Sequence, residues 1–198
     1  MASQELTGGQ AVVAQLLEHQ VDTIFGIPGG QNLAIYDALY SQSQRIRHLL
    51  GRHEQGLAYM ADGYARATGR PGVCMAQVIG ALNLAAGLRD AHLAHSPVIA
   101  MTGGRDPDTK FRGVYQEVDD IPAFEPVTKF NATVDSVERF PDMVRQAFRV
   151  ATSGTPGPVH LQFRGNEAQV DAEQADMEVL CEKVFARVPP FRPEPAEE

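Results

Sequence analysis

Gly51-Arg52-His53-Glu54-Gln55-Gly56-Leu57-Ala58-Tyr59-Met60-Ala61-Asp62-Gly63-Tyr64-Ala65-Arg66 decides how this chain is read. Upstream of it, Ile46 to Leu50 has the composition of a short strand. Downstream, Gln55 to Thr68 is rich in Ala and poor in branched residues, which predicts a helix ending near Gly69 and Pro71. A strand therefore hands Arg52-His53-Glu54 to its carboxyl end, and a helix begins at once. Ligands of open parallel α/β sheets collect along that edge. On spacing alone, Glu54 reads equally well as a first-turn residue stabilised by the helix dipole. If the strand runs on through His53, its side chain points to the face opposite Glu54, so His53 is read as a packed or hydrogen-bonded residue rather than a catalytic one.

The same alternation extends in both directions. Thr7-Gly8-Gly9-Gln10 followed by Val12, Val13, Leu16 and Leu17 reads as a capped amphipathic helix. Val21 to Gly26 is a short strand, Pro28-Gly29-Gly30 a turn, and Asn32 to Tyr40 a helix. Val73 to Ile79 is apolar enough for a buried strand, and Ala81 to Ala94 is helical. Pro97 to Thr102, Val127 to Val134 and Val159 to Phe163 supply further strands, with a helix from about Val137 to Thr152. This order predicts an α/β fold: a parallel sheet of five or six strands in a three-layer arrangement, with helices on both faces. The predicted domain covers residues 1–166. Residues 167–198 read as a tail or linker that is Pro-rich and acidic at its end, with one helix expected over Ala175 to Ala186.

Composition narrows the function. The 198 residues carry a formal net charge of −8, which argues against nonspecific nucleic-acid binding, since that needs a surplus of Lys and Arg facing phosphates. Met1-Ala2-Ser3-Gln4-Glu5 has no basic stretch followed by a long apolar one, and no apolar run is long enough to span a bilayer. A cytoplasmic protein with no membrane partner is expected. Cys74 in an apolar run and Cys181 in the acidic tail read as free thiols. His92 and His95 lack a Cys or carboxylate at a spacing that would complete a zinc set, so no metal ligands are assigned to this chain. Neither a phosphate-loop pattern nor a Gly-x-Ser-x-Gly elbow is present.

Spaced motifs in a fixed order carry a resemblance. The Arg52-His53-Glu54 run before an Ala- and Gly-rich helix resembles the cofactor-activating motif of acetolactate synthases and related thiamine-diphosphate enzymes. Phe25-Gly26-Ile27-Pro28-Gly29-Gly30, Asp37-Ala38-Leu39, Gly87-Leu88-Arg89-Asp90-Ala91, Pro126-Val127-Thr128-Lys129 and Gly157-Pro158-Val159-His160-Leu161 resemble further segments of that family. The likeness is to the N-terminal, pyrimidine-binding domain and covers nearly all of it.

The resemblance implies a role for each of several residues. Glu54 would share a proton with N1′ of the aminopyrimidine from a partly desolvated position, the general acid-base contribution of the protein to cofactor activation. Ile27, Pro28, Gly80 and Asn83 would complete the pyrimidine site. Gly29, Gly30, Gln31, Tyr115 and Gln116 would line the substrate side, where Gln116 can hydrogen-bond an oxygen of the substrate. Read without the resemblance, Pro28-Gly29-Gly30-Gln31 is equally a tight turn, and Tyr115-Gln116-Glu117-Val118-Asp119 equally an acidic surface loop.

Two departures and one gap stand beside the likeness. The family's Gly-Pro ahead of the Gly80-Ala81-x-Asn83 spacing is replaced by Val78-Ile79, and Arg164-Gly165-Asn166 follows Leu161-Gln162-Phe163 in place of a Pro and an acidic residue. No Gly-Asp-Gly segment of the kind that holds the diphosphate through magnesium is present. The resemblance thus implies a diphosphate-binding partner domain or subunit that carries Mg2+, a homodimer or hetero-oligomer, and a small 2-oxo acid or acyl donor as substrate. The small residues Ala85, Ala86 and Gly87 are expected to allow close packing of their helix in that assembly. A split-enzyme subunit and a piece of a longer chain fit equally well. Acetolactate synthesis, simple decarboxylation, lysis of a 2-hydroxyacyl thioester and a noncatalytic assembly role also remain open at this point.

Overall fold

The structure, a computed structural model, describes residues 4–164 and 172–180. Strands β1 (Gln4–Thr7), β2 (Thr23–Gly26), β3 (Arg47–Leu50), β4 (Gly72–Ala76), β5 (Val98–Gly103), β6 (Phe130–Val134), β7 (Val159–Phe163) and β8 (Gln174–Met177) alternate with helices over much of the chain. The helices are α1 (Gly8–Glu18), α2 (Leu33–Ser41), α3 (Glu54–Thr68), α4 (Ala81–Leu93), α5 (Ile121–Phe124) and α6 (Phe140–Thr152). Six strands form one sheet in the order β3-β2-β4-β5-β7-β6, and every pairing in it is parallel. The predicted α/β class and parallel sheet are what the chain adopts.

Alternation along the central strands explains the layers. Val73 and Met75 of β4 and Ile99 and Met101 of β5 join a cluster with Val12, Leu16, Ile35, Val144 and Phe148 of α1, α2 and α6. The intervening Cys74, Ala76, Val98 and Ala100 join the opposite cluster with Leu57 and Ala61 of α3 and Leu84 and Leu88 of α4. Successive side chains of a strand point to opposite faces, so strands apolar at every position need helices on both sides. Burial of the Cys74 thiol raises its pKa and keeps it an inert core group.

Local chemistry sets the helix ends. Thr7 caps α1 in a reciprocal capping box: its Oγ1 accepts from Gln10 N at 3.1 Å, and its own N–H donates to Gln10 Oε1 at 2.9 Å. Gly69, at φ 70°, closes α3 in the left-handed conformation that glycine adopts without strain.

Several boundaries differ from those read off the sequence. The strand expected over Val73 to Ile79 ends at Ala76, and Val78–Gly80 forms a 3-10 turn instead. The strand expected from Val127 begins only at Phe130, because Glu125–Val127 is a 3-10 turn with Pro126 at its start. In the stretch expected as a tail, Gln174–Met177 is strand β8, paired antiparallel with β1, so the helix expected over Ala175 to Ala186 does not begin there. Residues 181–186 and Cys181 lie outside the described residues. The β-ribbon outcome follows from long-range pairing: Gly8 N donates to Glu173 O at 3.0 Å and Gln15 Nε2 to Leu180 O at 2.9 Å.

Gly87 was expected to serve close packing in an assembly. It is used inside the chain: a Cβ there would stand 2.6 Å from Gln55 O and 2.7 Å from the Ala58 Cβ of α3. Ala85 is likewise buried, whereas Ala86 is exposed.

Candidate active site

Glu54 is the first residue of α3, three residues beyond Gly51, whose N–H bonds Gly26 O at 3.2 Å as β3 ends. The strand does not continue through His53. His53 is instead the exposed N-cap of α3, its Nδ1 accepting from Gln55 N at 3.2 Å. The sequence reading of a packed or hydrogen-bonded histidine holds in its second form, and strand alternation plays no part in it.

The Glu54 side chain is half-buried and held from two sides. Asn83, in the first turn of α4, donates from Nδ2 to Glu54 Oε2 at 3.1 Å. Gly80, at the N-cap of α4, lies under the carboxylate so closely that a Cβ there would stand 2.5 Å from Glu54 Cγ and Cδ. Glu54 Oε1 has no hydrogen-bond partner among the described residues. Gly80 and Asn83, predicted with Glu54 as one site, are therefore brought to it. The Val78-Ile79 departure leaves the turn intact: Val78 is 5% exposed and Ile79 59% exposed, and Gly80 N bonds Gln77 O at 3.0 Å.

The β2–α2 loop forms the neighbouring wall. Ile27 is half-buried, bonds Met75 O through its N–H at 3.3 Å and packs on the α3–α4 core. Pro28 is exposed. Gly29 N donates to Asn32 Oδ1 at 3.0 Å, which turns the chain into α2. A Cβ on Gly29 would meet Gln77 Oε1 at 2.5 Å, so Gln77 packs directly on this loop. The 77–80 turn thus touches the β2–α2 loop at one end and Glu54 at the other. Gln77 was not singled out from sequence; its place directly after a buried strand, at the ligand-binding edge, was the available signal.

The loop between β5 and α5 approaches from the other side. Gln31 is 7% exposed and donates from Nε2 to Gln116 Oε1 at 2.9 Å. Gln116 stands at φ 62°. Glu117 supports it, accepting backbone N–H bonds from Phe111 and, at 3.1 Å, from Val114. Arg105 pairs with Asp119 at 3.3 Å and approaches Glu117 at 4.0 Å. Tyr115, predicted beside Gln116, is 84% exposed and not packed into this group. Gly30 is part of the turn, with open space where a Cβ would stand.

A buried polar network moors the far end of the same loop. His160 is fully buried, its Nε2 2.7 Å from Thr102 Oγ1 and its Nδ1 2.6 Å from Asn131 Oδ1, with its ring stacked on Phe124 at 3.5 Å. Burial without a charged partner pushes its pKa down to about 3, so it is neutral at ordinary pH. Gln162 Nε2 donates to Asp120 Oδ1 at 2.6 Å, and burial raises the Asp120 pKa.

The chain therefore presents, at the carboxyl edge of a parallel sheet, a half-buried carboxylate with one oxygen unpartnered among the described residues and a wall of carboxamides. Residues 6–123 match the family described as thiamine pyrophosphate enzyme, N-terminal TPP binding domain. The chain belongs to that family. Among its relatives, an acetolactate synthase large subunit of Mycobacterium tuberculosis is 46% identical over 160 residues, which is 80% of this chain and 26% of that protein. A probable acetolactate synthase large subunit of Methanocaldococcus jannaschii is 41% identical over 174 residues, 85% of this chain and 29% of its own length. Acetolactate synthase isozyme 1 large subunit of Escherichia coli is 40% identical over 181 residues, 91% of this chain and 32% of its own. The chain spans about a quarter to a third of the length of these curated relatives. This TPP binding domain has no group of three or more His, Cys, Asp or Glu poised to hold a metal ion among the described residues. No helix among them is long and apolar enough to cross a membrane.

Proposed function

We propose that this domain is the pyrimidine-binding, catalytic part of an acetolactate synthase-like enzyme that makes or breaks a carbon-carbon bond next to the carbonyl of a 2-oxo acid. One observation carries this reading: the Glu54 carboxylate, fixed by Asn83 and seated on Gly80, has an oxygen without a hydrogen-bond partner among the described residues, in a half-buried position. That donor set fits the aminopyrimidine half of thiamine diphosphate, whose ring nitrogen needs a partner able to share a proton. When bound, thiamine diphosphate supplies the nucleophilic carbon of the reaction.

Glu54 holds the proton at that nitrogen, and Asn83 orients the carboxylate. Ile27, Pro28 and Gly80 form the floor and side of the pyrimidine site. Gly29, Gly30 and Gln116 line the substrate side, Tyr115 stands exposed beside them, and Gln31 reaches that side through its hydrogen bond to Gln116. The diphosphate and its magnesium belong to a separate domain or subunit, in keeping with the share of the relatives' length that this chain spans. The exposed side chains Tyr59, Ile79, Leu82 and Leu93 around α3 and α4 offer apolar surface for that assembly or for a second copy.

The test is reconstitution. The chain combined with its diphosphate-binding half, thiamine diphosphate and magnesium is expected to consume a 2-oxo acid such as pyruvate. A reconstituted, cofactor-loaded complex inert toward 2-oxo acids would refute the proposal.

A further inference from the structure

Gln31 and Gln116 lie 85 positions apart in sequence and are joined by a single side-chain hydrogen bond, Gln31 Nε2 to Gln116 Oε1 at 2.9 Å. A carboxamide can donate or accept, so the bond could in principle run either way. The surroundings of Gln31 decide the direction. Its other terminal atom is buried and without a hydrogen-bond partner among the described residues. As a carbonyl oxygen, that atom is one under-satisfied acceptor. As an –NH2 group, it would strand two N–H donors away from water, which is the costlier arrangement.

With the direction set, Gln116 has spent its oxygen on Gln31. Its Nε2 finds no acceptor among the described residues. Gln31 is itself immobilised, because its Cβ and Cγ press against the backbone of Gly103, where a Cβ would stand 3.2 Å from Gln31 Cγ. Gln116 is immobilised by its neighbour, since the Glu117 carboxylate gathers the Phe111 and Val114 N–H groups around the left-handed residue.

We propose that Gln31 is a positioning residue that fixes the polarity of the Gln116 amide, so that Gln116 meets the substrate with its –NH2 group and selects an acceptor oxygen, as in a carboxylate or ketone of a 2-oxo acid. This inference rests on Gln116 facing the substrate in the proposed enzyme. A free glutamine can rotate to suit a donor or an acceptor on the substrate. One whose oxygen is tied down recognises acceptors alone, and it does so without losing rotational freedom on binding.

The experiment is a double-variant cycle in the assembled, cofactor-loaded enzyme, with pyruvate as the probe. Gln31→Leu, of similar volume, is expected to raise KM for pyruvate severalfold and Gln116→Leu about tenfold; the double variant should be no worse than Gln116→Leu alone, because Gln31 acts only through Gln116. Gln116→Glu keeps an acceptor for Gln31 but turns a carboxylate oxygen toward the substrate, so its KM should exceed that of Gln116→Leu. Because Gln116 sits on a half-exposed loop, this second variant reports even if Gln31→Leu does not fold. C2 hydrogen exchange of the bound cofactor, which precedes substrate binding, should stay at the wild-type rate in all of them. Independent, additive effects of the two Leu variants, or a KM for Gln116→Glu at or below that of Gln116→Leu, would overturn the inference. A wild-type complex inert toward pyruvate and the other 2-oxo acids offered would refute the proposed enzyme instead, so the two failures are told apart.

Discussion

The carboxylate of Glu54 occupies the space that any side chain at Gly80 would need, since a Cβ there would lie 2.5 Å from Glu54 Cγ and Cδ. The glycine and the acid, on different helices, form one unit in which the small residue permits the position of the charged one. Gly80→Ala is therefore expected to push the carboxylate off Asn83. Displacement of a catalytic group by about 1 Å can cost about a hundredfold in rate. The assembled enzyme should show that loss in kcat, with the parallel sheet intact by circular dichroism. A Gly80→Ala enzyme with full turnover would mean that the packing of these two residues has no bearing on the chemistry.

The buried His160 makes the domain sensitive to acid. Its folded pKa, about 3, lies well below the unfolded value of about 6.5. Below pH ~6.5 the unfolded chain takes up a proton that the folded chain refuses, so this stability is complete above that pH and is lost as pH falls toward the folded value. Unfolding by urea at about pH 7 and about pH 4.5 should show wild type losing about 2 kcal/mol more than His160→Gln over that interval. Equal losses in both proteins would remove His160 from the acid response.

Cofactor affinity should follow the division of the site. Without a diphosphate-binding partner, the chain is expected to bind thiamine diphosphate only weakly, even with magnesium present, because the anionic end of the cofactor needs a cation and donors of its own. Titration calorimetry on the chain alone and on the reconstituted complex checks this. Micromolar binding by the chain alone would show that it holds the diphosphate after all.

Association should depend on the α3–α4 surface. Leu82 is 50% exposed and Leu93 68% exposed, and neither serves the internal core. Leu82→Glu is expected to weaken complex formation with little effect on the thermal stability of the chain, as surface changes usually lie within about 0.5 kcal/mol. Sedimentation of wild type and variant with the diphosphate-binding half measures it; unchanged assembly would move the interface elsewhere.

Much of this architecture is legible in the sequence because local signals and tertiary structure agree. Residues 72–76 and 98–103 are buried at every position, and the apolar runs 73–76 and 98–101 within them reveal central parallel strands. Thr7 and Gln10 form the capping box that their spacing suggests. Glu54, Gly80 and Asn83 meet because they begin successive helices at one sheet edge, a placement the alternation of elements already implies. The rest depends on contacts that no local pattern encodes. His53 reads as a strand residue until the end of β3 at Leu50 makes it a helix cap. The β1–β8 ribbon pairs the two ends of the described chain, and Gln174 to Met177 carries no strand pattern of its own. Gln77 and the Gln31–Gln116 bond become visible only when loops after three different strands are folded against one another.

Glu54 is the group on which the whole account depends. Glu54→Gln keeps the size of the side chain and can still hydrogen-bond the pyrimidine nitrogen, but it cannot share the proton. General acid-base groups of this kind are worth about a hundred- to ten-thousandfold, or about 3 to 5 kcal/mol of barrier. If Glu54 served only the helix start, the same change would cost about 1 kcal/mol of stability or less and leave the chemistry alone. The decisive measurement is C2 hydrogen-deuterium exchange of thiamine diphosphate bound to the assembled enzyme, wild type against Glu54→Gln, with thermal stability recorded for both. Exchange slowed at least about a hundredfold at nearly unchanged stability is expected; exchange at the wild-type rate in the variant would contradict a proton-sharing role for Glu54.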